Sequence, residues 1–428
     1  MATKSKKILT LVEGRRSKTN IPSHTVDDIR DAVERREGWD FSLVKILDDT
    51  KVAMCDFDGV FSDYIIWRDF APEMETVNAA RAMEWIDKQG NAVVMNGHYV
   101  GGRLYNSDKF FQAGLFGIDD ELKFNTPLAY LIKSKDDIKK LVAEKKLSYP
   151  VVVKDRFGTT GQGIVLIANA EHLERVKLPV ARLMVMPYIY GDFEWRVFVI
   201  GGCAVGVMKK DVENLENPGD FELRSAGFNR AKEEDPTVLE KINHIACRMA
   251  AVCGLEYTGC DIIRGKVDGN YYALETNNTA GWQNQFFETT GVNMADKMMD
   301  WFDDMAVLKE KGFYEGVKTF TMNRINYLPS PVREKFEKIL AFEADVDEAS
   351  GNDIEAMLAN KYREIKAGGD VVTAKALLDE VERTPLCWAG NFIGSSIHGR
   401  GGIFEEQCIP TAYYLAIREK YDKIQGTN

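Results

Sequence analysis

Apolar and polar positions along the 428 residues switch repeatedly between a period of two and a period near 3.6, and the switches mark predicted elements. Up to about residue 105, strand-like runs at Ile8–Val12, Phe41–Leu47, Tyr64–Trp67 and Ala92–Met95 alternate with helical patterns. Thr25 is placed to cap the first helix, with Asp28 three residues on and Ile29 and Val33 inward. A second helix carries Met74, Val77, Ala80, Met83 and Ile86 and closes at Gly90. This βαβ order predicts an open α/β layer.

From Asp108 the pattern changes. A helix opens at Asp108–Gly114, the chain breaks at Asn125-Thr126-Pro127, and Ser134–Glu144 reads as a capped helix with Ile138, Leu141 and Val142 inward. Val151–Val153 and Ile164–Ile167 predict a hairpin, followed by a short helix at Glu171–Val176 and a strand at Leu183–Met186. Pro187-Tyr188 predicts a hinge, and Trp195–Ile200 with Ala204–Met208 a hairpin about two glycines. The segment 211–230 is polar and reads as a loop. Pro236–Cys253 predicts a long helix ended by Gly254, and Tyr257–Ile263 with Tyr271–Glu275 a hairpin turning at residues 267–270. Beyond residue 305 the pattern is charged and helical, clearest at Val332–Phe342, Ile354–Ile365 and Val371–Val381, with a final helix after the glycine-rich stretch Gly390–Gly402.

Composition narrows the class. A hydrophobic fraction of 45% and a charged fraction of 28% are ordinary for a globular chain. A net charge of −11 argues against general binding to nucleic acid or an anionic membrane. The start lacks a signal-peptide core and no window suits a spanning helix, so the expectation is a cytoplasmic protein. Seven cysteines without a CxxC pair and five scattered histidines predict reduced thiols rather than a zinc site.

Four stretches carry candidate chemistry. In YPVVVKDRFGTTGQGIVLI, residues 149–167, a strand-borne Lys154 precedes a loop with three glycines and two threonines. Backbone N–H groups and one cation can share the charge of a triphosphate there, although a solvated turn has the same composition. The loop lacks P-loop spacing. On the later hairpin, Asp261 and Glu275 can stand side by side with Asn277 offering an amide oxygen. Hard oxygen ligands suit Mg²⁺ shared with phosphates. Two surface acids and a turn asparagine are the plainer reading, weakened by the apolar strands around them. VAMCDFDG, residues 52–59, matches the DxDG nucleophile loop of haloacid-dehalogenase-like phosphatases or is an acidic turn. Ser395, Ser396, His398 and Arg400 belong to a loop that binds a carboxylate or phosphate, or packs the final helix.

In this order the segments from roughly 105 to 300 resemble an ATP-grasp domain, closest to the ribosomal protein S6 glutamate ligase-like branch. The resemblance rests on Asp108-Lys109, the 149–167 hairpin, LMVMPYIYGDFEWRVFVIGG, VMKK with FELRS, and GCDII with ALETNN. Arg68, Asn96 and Gly97 also fall at familiar positions in the preceding layer. The fold it implies is α/β (α+β): an N-terminal α/β domain over 1–106, a lid subdomain over 107–190, a metal-bearing subdomain over 191–305 and a mainly helical extension over 306–428.

The resemblance also implies roles. Lys109 and Lys154 would hold phosphates, and the loop with Gly161 and Gly163 would close over the γ-phosphate. Pro187 and Tyr188 would meet adenine through the backbone, and Glu194 the ribose. Arg224 and Ser225 would contact phosphate or the acyl phosphate, with Arg224 and Lys154 catalytic. Asp261, Glu275 and Asn277 would carry Mg²⁺, usually two ions, with Mn²⁺ as a substitute. Two positions depart from the family: Pro187 replaces an acid before the hinge tyrosine, and Ala226 replaces an asparagine.

The activity implied is ATP-dependent amide formation between a carboxylate and an amine through an acyl phosphate, without nucleic-acid or membrane partners and with homo-oligomerisation left open. A kinase acting on a hydroxyl and a non-catalytic nucleotide-binding module are the alternatives.

Overall fold

The computed structural model describes residues 7–14, 24–46, 64–68, 92–96, 108–158, 164–179, 182–211, 230–231, 235–278, 280–282, 284–327, 330–347, 349, 354–383 and 404–426. The stretch 52–59, the helix expected over 74–86 and the loop 390–402 lie outside them, as do Gly97, Gly161, Gly163, Arg224, Ser225 and Ala226. The chain divides into two compact units: residues 1–199 with 204–296, and residues 200–203 with 297–428.

The first unit opens with β1 (Lys7–Gly14), α1 (His24–Glu34), β2 (Trp39–Ile46), β3 (Tyr64–Arg68) and β4 (Val93–Met95). These strands form a parallel sheet in the order β2-β1-β3-β4. One expectation is corrected here: Thr25 lies inside α1, which starts at His24, and does not cap it. Thr25 is buried with Val26, Ile29, Ala32 and Val33. A residue four positions before Ile29 falls on the inward stripe of the helix, so its side chain is buried with that face.

Next come α2 (Lys109–Ile118), β5 (Tyr130–Ile132), α3 (Lys135–Ala143), β6 (Val151–Asp155), β7 (Val165–Ile167), α4 (Ala170–Arg175) and β8 (Leu183–Pro187). Ser134 and Asp137 form a reciprocal capping box at the start of α3. The strands make an antiparallel sheet in the order β5-β8-β6-β7. Val151 and Val153 of β6 join Ile138 and Leu173 in one core, whereas Val152 lies with Leu166, Met184 and Met186 on the opposite face. The strand period of two thereby sends Lys154 to the side of Val152.

The third sheet contains β9 (Gly191–Ile200), β10 (Cys203–Asp211), β11 (Arg230–Ala231), β12 (Tyr257–Gly265) and β13 (Tyr271–Asn277), in the order β11-β10-β9-β12-β13. Between β11 and β12 runs α5 (Pro236–Cys253). Asp235 accepts from the N–H groups of Thr237 and Val238, a proline opens α5, and Gly254 closes it at φ +64°. Its inward residues Ile242, Ile245, Ala246, Met249, Ala250 and Cys253 pack on Trp195, Val197, Cys260 and Ile262 of the sheet. The unit ends with α6 (Asn284–Thr290) and the start of α7 (Met294–Lys311).

The second unit is helical: the rest of α7, then α8 (Phe313–Arg324), α9 (Ser330–Leu340), α10 (Ile354–Lys366), α11 (Lys375–Arg383) and α12 (Phe404–Gln425). The pattern at 371–381 splits into a 3₁₀ turn, Val371–Ala374, and α11, because Asp370 caps the turn through the Val372 N–H. Residues 411–417 of α12 are all buried, which places this helix among α9, α10 and the 371–374 turn. Among the described residues no helix is long and apolar enough to cross a membrane.

Candidate functional site

Asp261 and Glu275 stand directly opposite each other on β12 and β13, with Asn277 opposite Gly259. The register shifts after this pair: Ile262 faces Ala273, leaving Leu274 as an extra residue on β13. Without the bulge, Ala273 and Glu275 would share a face. With it, Ala273 joins the α5 core while Glu275 and Asn277 stay beside Asp261. The bulged Leu274 packs instead against the apolar face of Val152, Leu166, Met184 and Met186, together with Phe110 and Tyr188.

Basic side chains converge on this pair from α2, β6 and β9. Lys109 is the first residue of α2, which Asp108 caps through the N–H groups of Phe110 and Phe111. The same carboxylate takes Nε of Arg156 at 3.0 Å and is ion-paired with its Nη2. The Lys109 N–H donates to the Arg156 carbonyl at 3.0 Å, so the helix start is tied to the end of β6. One turn later, buried Gln112 donates to the Thr276 carbonyl at 2.9 Å and accepts the Thr276 N–H at 3.1 Å. That pair satisfies the outer edge of β13 and sets Lys109 beside Glu275. Lys109 Nζ lies 3.0 Å from Glu275 Oε2 and donates to the Gly158 carbonyl at 2.7 Å.

Arg196, on β9, grips Asp261 with both ends of its fork: Nε to Oδ1 at 2.7 Å and Nη2 to Oδ2 at 2.6 Å. Sequence reading missed this residue and Gln112. An arginine inside DFEWRVFVI carries no local signal of its partner 65 positions away.

The charges act on one another. Burial lowers the Lys154 ammonium, partly countered by the negative charge of Glu275. Burial would raise Glu275, but Lys109 and Lys154 overcome it and hold the carboxyl down at about 2. Asp261 moves the other way: burial is the largest effect and raises it, Arg196 pulls it down, and repulsion from Glu275 and Glu194 helps to leave it raised. Asp261 and its neighbours in turn raise Arg196. Glu194 thus contributes its charge to the cluster from β9.

Asn277 turns its amide nitrogen toward the acids, 3.2 Å from Asp261 Oδ2 and 3.4 Å from Glu275 Oε1, where the sequence reading expects its oxygen. The reason is electrostatic, since N–H groups face two carboxylates; a cation there calls for the flipped amide. With that flip the donor set is all oxygen, two of it anionic and on one face, and fits Mg²⁺ or Mn²⁺.

Behind the site, Asn96 at the end of β4 is buried with φ +56°. Its amide donates to the carbonyls of Tyr257 at 2.8 Å and Asn278 at 3.0 Å and accepts the Tyr257 N–H at 2.9 Å. It therefore spans the start of β12 and the residue after β13. Its own N–H meets buried Glu256 Oε2 at 2.6 Å.

Pro187 ends β8, paired with Val151. The Tyr188 N–H is engaged by the Pro150 carbonyl at 3.0 Å, and its ring meets Tyr190 edge-on at 4.8 Å. Of the expected set, Lys109, Lys154, Glu194, Asp261, Glu275 and Asn277 are brought together.

Residues 111–302 match the family model of the RimK-like ATP-grasp domain. This chain carries a RimK-like ATP-grasp domain. The ATP-grasp segment runs from the first turn of α2 into α7 and contains Lys154, Arg196, Asp261, Glu275 and Asn277. Part of the chain is similar to beta-citrylglutamate synthase B of Danio rerio, 23% identical over 182 residues, which are 41% of this chain and 42% of that one. Coenzyme gamma-F420-2:alpha-L-glutamate ligase of Methanocaldococcus jannaschii is 25% identical over 182 residues, 41% of this chain and 59% of that one. The alignments span less than two thirds of the length of these two relatives. Among solved structures, D-alanine--D-alanine ligase from Bacillus anthracis complexed with ATP aligns at TM-score 0.49 and 16% identity, over 72% of this chain and 100% of that one. ATP-grasp ligase PsnB complexed with minimal precursor aligns at TM-score 0.48 and 18% identity, over 69% and 98%.

Proposed function

We propose that this chain is an ATP- and Mg²⁺-dependent ligase that joins a carboxylate to an amine through an acyl phosphate, releasing ADP and phosphate. The observation that carries the reading is the Asp261–Glu275 pair on adjacent strands, with Lys109, Lys154 and Arg196 converging on it from three other elements. In this reading Asp261, Glu275 and a flipped Asn277 hold the cations, two of them or Mn²⁺ in their place, which neutralise triphosphate charge when bound. Lys109 and Lys154 take phosphate oxygens. The apolar face of Val152, Leu166, Met184, Met186 and Leu274 receives the adenine ring, with Pro187 and Tyr188 at its edge and Glu194 toward the ribose. Arg224 and Ser225 complete the phosphate contacts, and the 158–163 loop, with Gly161 and Gly163, covers them.

A substrate carboxylate oxygen attacks the γ-phosphorus and ADP leaves. The amine nitrogen then attacks the acyl carbon and phosphate departs. The protein positions these groups, neutralises charge and excludes water. Residues 107–190 act as the lid and 191–305 as the metal-bearing part, preceded by the 1–106 layer and followed by the 306–428 extension. A relative named as a glutamate ligase makes glutamate the first amine to supply.

The test is ADP release by the purified chain with ATP, Mg²⁺ and a pool of amino acids, peptides and carboxylic acids, followed by mass spectrometry for an amide. No ADP release, with unchanged ATP binding in Asp261→Ala, sinks the reading. A phosphorylated hydroxyl compound would select a kinase instead.

A further inference from the structure

We infer that Lys109 is a specificity-determining residue: it makes the Asp261–Glu275 site refuse a bare divalent cation and accept one only together with a polyphosphate. The inference rests on the nucleotide-site reading above and adds a selectivity to it. Each candidate ligand is already engaged by an N–H donor. Lys109 Nζ sits 3.0 Å from Glu275 Oε2 and also binds the Gly158 carbonyl at 2.7 Å. Both Asp261 oxygens are held by Arg196 at 2.7 and 2.6 Å. The Asn277 amide hydrogens face both acids, at 3.2 and 3.4 Å.

Among the described residues the charges in the cluster also balance. Three basic groups, Lys109, Lys154 and Arg196, act on three acidic ones, Asp261, Glu275 and Glu194. A divalent cation entering alone must push the Lys109 ammonium off Glu275, with no anion to receive it. Two positive charges are then left unbalanced in a part-buried place, where Coulomb terms are only weakly screened. A triphosphate removes that obstacle, because its oxygens attract Lys109 and leave Glu275 to the cation. The cation in turn offsets the repulsion between the triphosphate and the two carboxylates. Each ligand lowers the cost of the other, and the coupling is reciprocal. Lys109 is the movable member, since Arg196 holds Asp261 with a planar two-pronged fork whereas Lys109 reaches Glu275 with one ammonium on a flexible stem.

The experiment titrates Mn²⁺ into the full chain, alone and with the non-hydrolysable analogue AMPPNP. Proton relaxation enhancement separates protein-bound from nucleotide-bound ion, and calorimetry checks that each variant folds. Wild type should bind Mn²⁺ alone weakly and at least about tenfold more tightly with AMPPNP. Lys109→Met, and Lys109→Gln should the first not fold, should bind Mn²⁺ alone about tenfold more tightly than wild type and lose most of the AMPPNP enhancement. Lys109→Arg should keep the low affinity for Mn²⁺ alone. If the neutral variants bind Mn²⁺ alone no better than wild type while AMPPNP still tightens Mn²⁺, the role of Lys109 is overturned and the nucleotide site stands. If Mn²⁺ binding in wild type responds neither to AMPPNP nor to Glu275→Gln, both fall.

Discussion

Glu256 offers a pH dependence whose sign and size follow from its surroundings. It is 3% exposed, and its Oε2 accepts the Asn96 N–H at 2.6 Å. Burial, countered only in part by the backbone N–H groups of Glu256 and Asn96, pushes its carboxyl from 4.5 up to about 8. At neutral pH the folded chain therefore holds a proton on Glu256 that the unfolded chain releases. Stability from this group is complete below pH 4.5, declines as pH rises, and levels off above about 8. Each unit of pH in that window costs about 1.4 kcal/mol, so about 3–4 kcal/mol disappears between pH 5 and pH 8. Glu256→Gln keeps the shape and the acceptor for Asn96 but has no proton to lose. It should match wild type within about 1 kcal/mol at pH 5 and exceed it by about 3–4 kcal/mol at pH 8. Hydrogen exchange of the β12 and α5 amides across this range reads the stability of the first unit alone. A gap between variant and wild type that stays flat from pH 5 to pH 8 would refute the neutral buried carboxyl.

Other outcomes follow from single contacts. Gln112→Ala leaves the Thr276 N–H and carbonyl without their side-chain partner at a buried edge, which should cost about 2–4 kcal/mol in urea unfolding. It should also raise the KM for ATP, because Lys109 loses its alignment with Glu275; an unchanged KM argues against that coupling. Arg196→Met removes the bidentate partner of buried Asp261 beside two further acids. The arginine side chain is 40% exposed, so the loss should be about 2 kcal/mol rather than the larger cost of a fully buried pair. Mn²⁺ with AMPPNP should restore part of it, and thermal melts that ignore these ligands would count against the metal reading. In the second unit, Arg324→Met strands buried Asp304, whose carboxyl burial already raises despite Arg324. It should lower the melting of the helical unit by about 3–5 kcal/mol while nucleotide affinity stays at the wild-type value, checked by calorimetry and nucleotide titration.

The elements legible in the sequence are those whose signals are local. Helix α5 runs from Pro236 to Cys253 as the pattern predicts, because its stop and start are written in adjacent residues: Asp235, Pro236 and Gly254. The hairpin of β12 and β13 follows from two apolar runs and the turn between them, and it brings Asp261 opposite Glu275 because strand pairing carries the register. Where one residue serves two local readings, pattern fails: Thr25 has the chemistry of a cap but the spacing of a core position. Lys154 was visible, since a lysine at the end of a β-branched run before a glycine loop is a local anomaly. Its electrostatic setting was not.

What tertiary structure alone decided is the set of partners. Arg196 meets Asp261 across 65 positions, Glu256 meets Asn96 across 160, and Gln112 meets Thr276 across 164. The bulge at Leu274, which keeps Glu275 facing the acids while Ala273 turns into the core, likewise exists only once β13 pairs with β12. Periodicity and capping report interactions within a few residues, so the sequence by itself specified the strands, the helices and the charged residues they display. Which charges neutralise one another depends on how those elements pack, and desolvation makes that pairing decisive: the same carboxyl is held near 2 at Glu275 and rises to about 8 at Glu256.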